Sequence, residues 1–190
     1  DSSFHNACVN SKALEMAGIQ QMPDPPNGHI LRDASGRATG MLHEEVIPLV
    51  AARLPELSDE HWMEGLRAGQ SLANEHGITG VLDPRITERE ARIYARAEAE
   101  GNLSLRVAGA ALVTQADTPE SAVARLSGMR KAHPGPGFHV HSAKFFMDGV
   151  FENRTAAGLR AYADAAGGTA PCMFSSAQTR ALFIALDDAR

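Results

Sequence analysis

An α/β domain built on a parallel sheet, preceded by a smaller α+β segment, is the fold class this sequence predicts. Three observations carry it. From residue 58 onward, short apolar runs alternate with amphipathic stretches that open on capping residues, which is the rhythm of βαβ units. The first 57 residues follow another rhythm, with a Pro-rich turn and a Ser-Gly turn between two short extended runs. The 190-residue chain is 44% hydrophobic with 5% aromatics, an ordinary globular balance and enough for one domain with a real core.

The elements follow in order. Val9, Ala13, Leu14 and Ala17 stand at helical spacing within residues 5–18. Asn10 or Ser11 can cap that helix and Gly18 can end it. After the turn Met22-Pro23-Asp24-Pro25-Pro26-Asn27-Gly28, the runs Ile30–Arg32 and Ala38–Leu42 flank Ser35-Gly36, a hairpin pattern. A helix is predicted from Glu44 to about Arg53, stopped by Pro55. Ser58-Asp59-Glu60 then starts a helix running to about Asn74. Ile78–Asp83 reads as a strand, and Thr87 caps a helix to about Glu100. Leu103–Val113 is the next strand. Thr118-Pro119-Glu120 opens a helix that ends near His133, Phe138–Asp148 is a third strand, and residues 175–190 form a last helix. Two parts result, an insertion-like segment at 1–57 and a strand–helix domain at 58–190.

Composition excludes several roles. The formal net charge is −5 and the 18 Lys and Arg are scattered among acids, whereas a nucleic-acid surface needs them clustered. No apolar run approaches the ~20 residues that cross a bilayer, so neither nucleic acid nor membrane is expected as a partner. Cys8 and Cys172 stand far apart and suggest no disulfide framework, which points to a reducing, cytoplasmic setting. The first residues, Asp1-Ser2-Ser3-Phe4, hold no initiator Met and no leader pattern, so the chain reads as beginning in mid-protein.

In parallel α/β folds functional groups gather at the carboxyl ends of strands. That rule selects Asp83, then Val113-Thr114-Gln115, then Lys144 to Gly149. The last is the most informative. Without a bulge, Lys144, Phe146 and Asp148 share one face of the third strand. An ammonium facing inward there is expensive unless it is paired or chemically removed. Carbon dioxide adds to the neutral amine to give a carbamate, an anion able to bridge two cations. A salt bridge to Asp148 or another carboxylate is the plainer alternative. His139 and His141 have the opposite parity to Lys144, so this strand should turn them toward the helices. His43-Glu44-Glu45 lacks the second His of a zinc-protease helix. Glu152-Asn153-Arg154-Thr155 follows the strand closely. Arg154 could grip a carboxylate in forked geometry, and a loop tied by salt bridges is the equal alternative.

Three segments together resemble the amidohydrolase-3 family, which includes YtcJ-like proteins and N-substituted formamide deformylases. They are His5-Asn6-Ala7-Cys8-Val9-Asn10-Ser11-Lys12-Ala13-Leu14, then Asp33-Ala34-Ser35-Gly36-Arg37-Ala38-Thr39-Gly40-Met41-Leu42, then Lys144-Phe145-Phe146-Met147-Asp148-Gly149 continuing to Arg154-Thr155-Ala156. Gly77-Ile78-Thr79 fits the same pattern, while Cys8 stands where the family often has Trp. The resemblance implies a (β/α)₈ TIM barrel beside a small β-rich domain, of which this chain would hold strands 2 to 4 with their helices. It implies hydrolysis of a C–N amide-type bond in a small molecule with one or two divalent metals, zinc first. It assigns Lys144 as a metal ligand, and His5, Arg154 and Asp148 as substrate-binding residues. The family's first-strand His-x-His, later histidines and final Asp are not in this sequence, so the 190 residues should not hold the dinuclear site by themselves. A partial barrel also exposes sheet edges, which invites pairing between copies. Two alternatives stay open: a barrel hydrolase acting on an ester, lactam or cyclic ureide, and a non-catalytic α/β domain that binds a small molecule or a partner chain.

Overall fold

Asn10 begins the first helix as its chemistry dictates. Its side chain accepts the Ala13 N–H, helix α1 runs Ser11–Ala17, and Gly18 closes it at φ 69°, a left-handed turn that suits glycine. The computed structural model describes residues 5–163 and 168–189. Around α1 stand three strands, β1 (Asn6–Cys8), β2 (Gly28–Arg32) and β3 (Ala38–Glu44), and a short helix α2 (Ile47–Ala51). The sheet order is β1-β3-β2, antiparallel throughout. The predicted hairpin is β2–β3. Its turn is fixed by the Asp33 carboxylate, which accepts the Ser35 and Arg37 N–H groups. Leu14, Ile19, Ile30, Leu42 and Val46 make the core.

Two details differ from the sequence reading. Residues 6–8 are a strand, because β3 supplies hydrogen-bonding partners from more than thirty residues away. Helix α2 is shorter than predicted, starting at Ile47 beside Pro48. Gly40 shows how closely the segments approach. It sits at φ 98°, and a Cβ there would stand 2.2 Å from the Val9 carbonyl oxygen, so no other residue fits. These elements cluster with Met147–Met173 as one unit, and Leu57–Phe146 with Phe174–Arg190 form another.

The second unit alternates strand and helix: α3 (Asp59–Glu75), β4 (Gly80–Ile86), α4 (Glu88–Ala99), β5 (Arg106–Val113), α5 (Pro119–Ala132), β6 (Phe138–Phe145) and α6 (Ser176–Asp188). Ser58, Thr87, Thr118 and Ser175 cap the four helices through their hydroxyls. The three strands are parallel in the order β4-β5-β6, the α/β class that the alternation predicts. Helices cover one face. There Phe138, fully buried, stacks on Tyr94 of α4, and Met63, Ile93 and Ala97 pack between α3 and α4. The other face is open: Leu82, whose register partner is Ala108, is 58% exposed. Among the described residues no helix is long and apolar enough to cross a membrane.

Candidate functional site

Two irregularities decide where the strand-end residues point. In β4 the pairing slips between Asp83 and Ile86, at Pro84, which cannot donate to a ladder. The strand therefore runs past Asp83, and the Asp83 carboxylate takes the Tyr94 hydroxyl at 2.8 Å on the helix-covered side. Burial and that carboxylate push the Tyr94 phenol well above its usual range, so this pair is a neutral-phenol strut. In β6 the pairing slips by one residue, from Gly109↔Val140 to Ala110↔Ser142. His141 is the extra residue of a bulge.

That bulge corrects the parity reading of His139. Register partners in parallel strands share a face, so His139, Ser142 and Lys144 lie with Ala108, Ala110 and Leu112. His139 is on the face of Lys144, not the helix side. It sits five positions before Lys144, near the start of β6. Phe145 confirms the alternation from the opposite side, meeting Phe183 of α6 at 4.8 Å and Phe174 at 5.6 Å. Lys144 thus projects from the face that the helices leave open, next to the end of the strand. Its ammonium lies 4.6 Å from the Phe146 ring. Among the described residues of its unit, no carboxylate is in ion-pair range of it. The strand ends at Phe145, so the parity argument does not extend to Asp148.

The end of β5 is a structural clamp. Asp117 accepts from the Thr114 N–H at 2.7 Å and pairs with Arg125 at 2.8 Å, and Arg125 also donates to the Leu112 carbonyl. Burial opposes ionisation of Asp117, but Arg125 and the Thr114 donors outweigh it and hold its pKa below the usual value.

In the first unit the sequence-predicted residues fall around one buried carboxylate. His5 Nδ1 stands 2.8 Å from Glu44 Oε2. Thr155 and Asn153, 1% and 7% exposed, reach Glu44 Oε1 at 3.0 and 3.3 Å. Asn153 also donates to the His5 carbonyl. Glu44 itself adopts φ 52°, a costly conformation for a residue with a Cβ. Thr155 further accepts the Val150 N–H, and the Asp148 carboxylate accepts the Ala157 N–H. Asp148 therefore shapes the loop that carries Arg154. Sequence reasoning selected His5, Asp148 and Arg154 as site residues, and named Asn153 and Thr155 only within the polar run after the strand and Glu44 only within the weak His-Glu-Glu run; what joins these three is contacts made across the chain.

Arg154, at φ 56°, borders a cavity of about 650 Å³ that His29, His43, Glu152 and Tyr162 also line. His29 and His43 are cross-strand neighbours with ring centroids 6.4 Å apart. Burial and the nearby His29 hold the His43 pKa below the usual 6.5, while Glu44 pulls the other way. Protonation is thus easier in the unfolded chain. Between the folded value and 6.5 the unfolded state binds more protons, so stability falls as the pH drops through that window. Urea unfolding at pH 7 and pH 5 should show this loss, and His43→Gln should make it smaller. An unchanged loss in the variant would contradict the assignment.

Among the described residues no group of three or more His, Cys, Asp or Glu side chains is arranged to hold a metal ion.

A parallel sheet covered by helices places this part of the chain in the α/β class. Two solved structures share the fold. One is an uncharacterized metal-dependent hydrolase from Pyrococcus horikoshii OT3, with TM-score 0.65 and 19% identity over 98% of this chain and 36% of that one. The other, from Pyrococcus furiosus, has TM-score 0.65 and 17% identity over 98% and 37%. The model of the amidohydrolase family, the amidohydrolase-3 group, matches residues 2–190, and the chain belongs to that family. An N-substituted formamide deformylase from Arthrobacter pascens is 35% identical over 108 residues, 54% of this chain and 20% of that protein. The YtcJ protein of Bacillus subtilis (strain 168) is 30% identical over 166 residues, 84% and 30%. The chain thus spans between a fifth and a third of the length of these two relatives.

Proposed function

We propose that the protein to which these residues contribute hydrolyses a carbon–nitrogen amide-type bond in a small molecule. In this reading the sheet β4-β5-β6 supplies strands 2 to 4 of a (β/α)₈ barrel, residues 1–57 are an insertion and 58–190 belong to the barrel. One or two divalent ions, zinc first among them, complete the site with ligands from segments outside these 190 residues. Bound metal would polarise the substrate carbonyl and lower the pKa of water.

The observation that carries the reading is the placement of Lys144. It stands next to a strand end, on the face opposite Phe145 and its helix contacts, where functional groups of parallel α/β proteins gather. As a carbamate it would give two oxygens to metal. Arg154 would grip an acidic group of the substrate, His5 would meet the substrate through its ring, and Asp148 would hold the loop between them in shape. Membership of the amidohydrolase family supports amide hydrolysis over the ester alternative. The unbridged, exposed cysteines support a cytoplasmic setting.

The test uses the whole enzyme and a panel of N-formyl and N-acyl amines. Hydrolysis should disappear on chelation and return with Zn²⁺. Hydrolysis that survives complete metal removal would contradict the proposal. A metal-free protein that binds a small molecule without turnover would favour the non-catalytic alternative.

A further inference from the structure

The Glu44 carboxylate meets polar side chains from three directions. Thr155 Oγ1 and Asn153 Nδ2 converge on Oε1, while Oε2 faces His5 Nδ1 at 2.8 Å. An ionised carboxylate has no hydrogen to offer, so the ring nitrogen facing it must carry one. The arrangement is held on all sides. The Glu44 side chain is 9% exposed, Thr155 and Asn153 are buried, and the Asn153 amide is spanned between Glu44 and the His5 carbonyl. The backbone at Glu44 holds φ 52°, a cost that persists only where surrounding contacts fix it.

We propose that Glu44 is a positioning residue that locks His5 in its Nδ1–H tautomer. In the neutral ring Nε2 then carries the lone pair, so His5 enters any hydrogen bond at that atom as an acceptor. For the hydrolase reading, on which this part rests, His5 would accept a hydrogen from an N–H or O–H of the substrate. The ring orientation would be set from behind by a carboxylate, as outer partners set the tautomer of functional histidines elsewhere. Asn153 and Thr155 serve the same end by fixing which carboxylate oxygen is left for the ring.

Long-range proton–nitrogen NMR of the whole protein, labelled at histidine and recorded above the imidazole titration range, reads the tautomer directly. Wild-type His5 should carry its hydrogen on Nδ1. In Glu44→Gln the two donors on Oε1 keep the amide oxygen, its NH₂ faces the ring, and the hydrogen should move to Nε2. Thr155→Val leaves the carboxylate in place and should keep Nδ1–H. Should Glu44→Gln fail to fold, the wild-type and Thr155→Val spectra still decide. An Nε2–H ring in wild type, or an unchanged tautomer in folded Glu44→Gln, would overturn the proposal. None of these readouts depends on metal, substrate or turnover, so a failed hydrolase reading leaves them standing. An Nδ1–H ring with a His5→Phe enzyme of undiminished activity would overturn only the substrate role.

Discussion

Lys144→Ala in the whole enzyme is expected to lower hydrolysis by at least about 100-fold and to reduce the bound metal. Residues that merely support a metal ligand typically cost about 10–100-fold in affinity or activity when lost. A bridging ligand should cost no less. Lys144 is placed on the open face of the sheet, away from the Phe145, Phe174 and Phe183 contacts. No carboxylate of its unit neutralises it among the described residues. Loss of a proton to solvent would give the neutral amine, and addition of carbon dioxide with release of a second proton would give an anionic carbamate. Added short carboxylic acids should therefore restore part of the lost activity in Lys144→Ala, by filling the space with a carboxylate. An alanine variant with unchanged turnover and metal content would contradict the assignment.

Glu44→Ala is expected to destabilise the first unit by about 2 kcal/mol. Deleting the carboxylate leaves Thr155 its Val150 carbonyl and Asn153 its His5 carbonyl, but strips the second amide hydrogen of the buried Asn153 of its acceptor, and a buried unsatisfied group costs about 1–3 kcal/mol. His5, with a third of its side chain exposed, can turn to water and adds little. The backbone gives an internal control. Glu44→Gly loses the same hydrogen bonds but relieves the strain at φ 52°, so it should be about 1 kcal/mol milder than Glu44→Ala. Hydrogen exchange at the β1 and β3 amides measures both, since the two units need not unfold together. Equal stability of wild type and Glu44→Ala would contradict the network. Glycine no milder than alanine would contradict the strain.

Much of the architecture is local and was therefore legible. Asn10, Ser58, Thr87, Thr118 and Ser175 cap helices because the hydroxyl or amide that satisfies a helix's first N–H groups is written beside it in sequence. The β2–β3 hairpin is legible for the same reason, its Asp33 turn being closed within four residues. The ordered motifs likewise point to the family that matches residues 2–190.

What escaped depends on partners far along the chain. A three-residue strand such as β1 has no period of its own and exists because β3 pairs with it. The bulge at His141 is set by the pairing with β5. One extra residue reverses every side chain behind it, which is why His139 joins the face of Lys144. Asp83 reads as a strand end because the apolar run stops there, yet a bulge carries the strand onward to Ile86. Glu44 looks like an ordinary acid in a His-Glu-Glu run. Only contacts spanning 109 and 111 residues reveal it as an anchor.

The most direct trial of the metal assignment is an anomalous-diffraction map of the whole enzyme grown with Zn²⁺. The account predicts a metal peak about 2.0–2.2 Å from a carbamate oxygen on Lys144, the usual zinc–oxygen distance. A metal peak elsewhere, with the Lys144 side chain unmodified and turned toward the helices or bulk solvent, would contradict it.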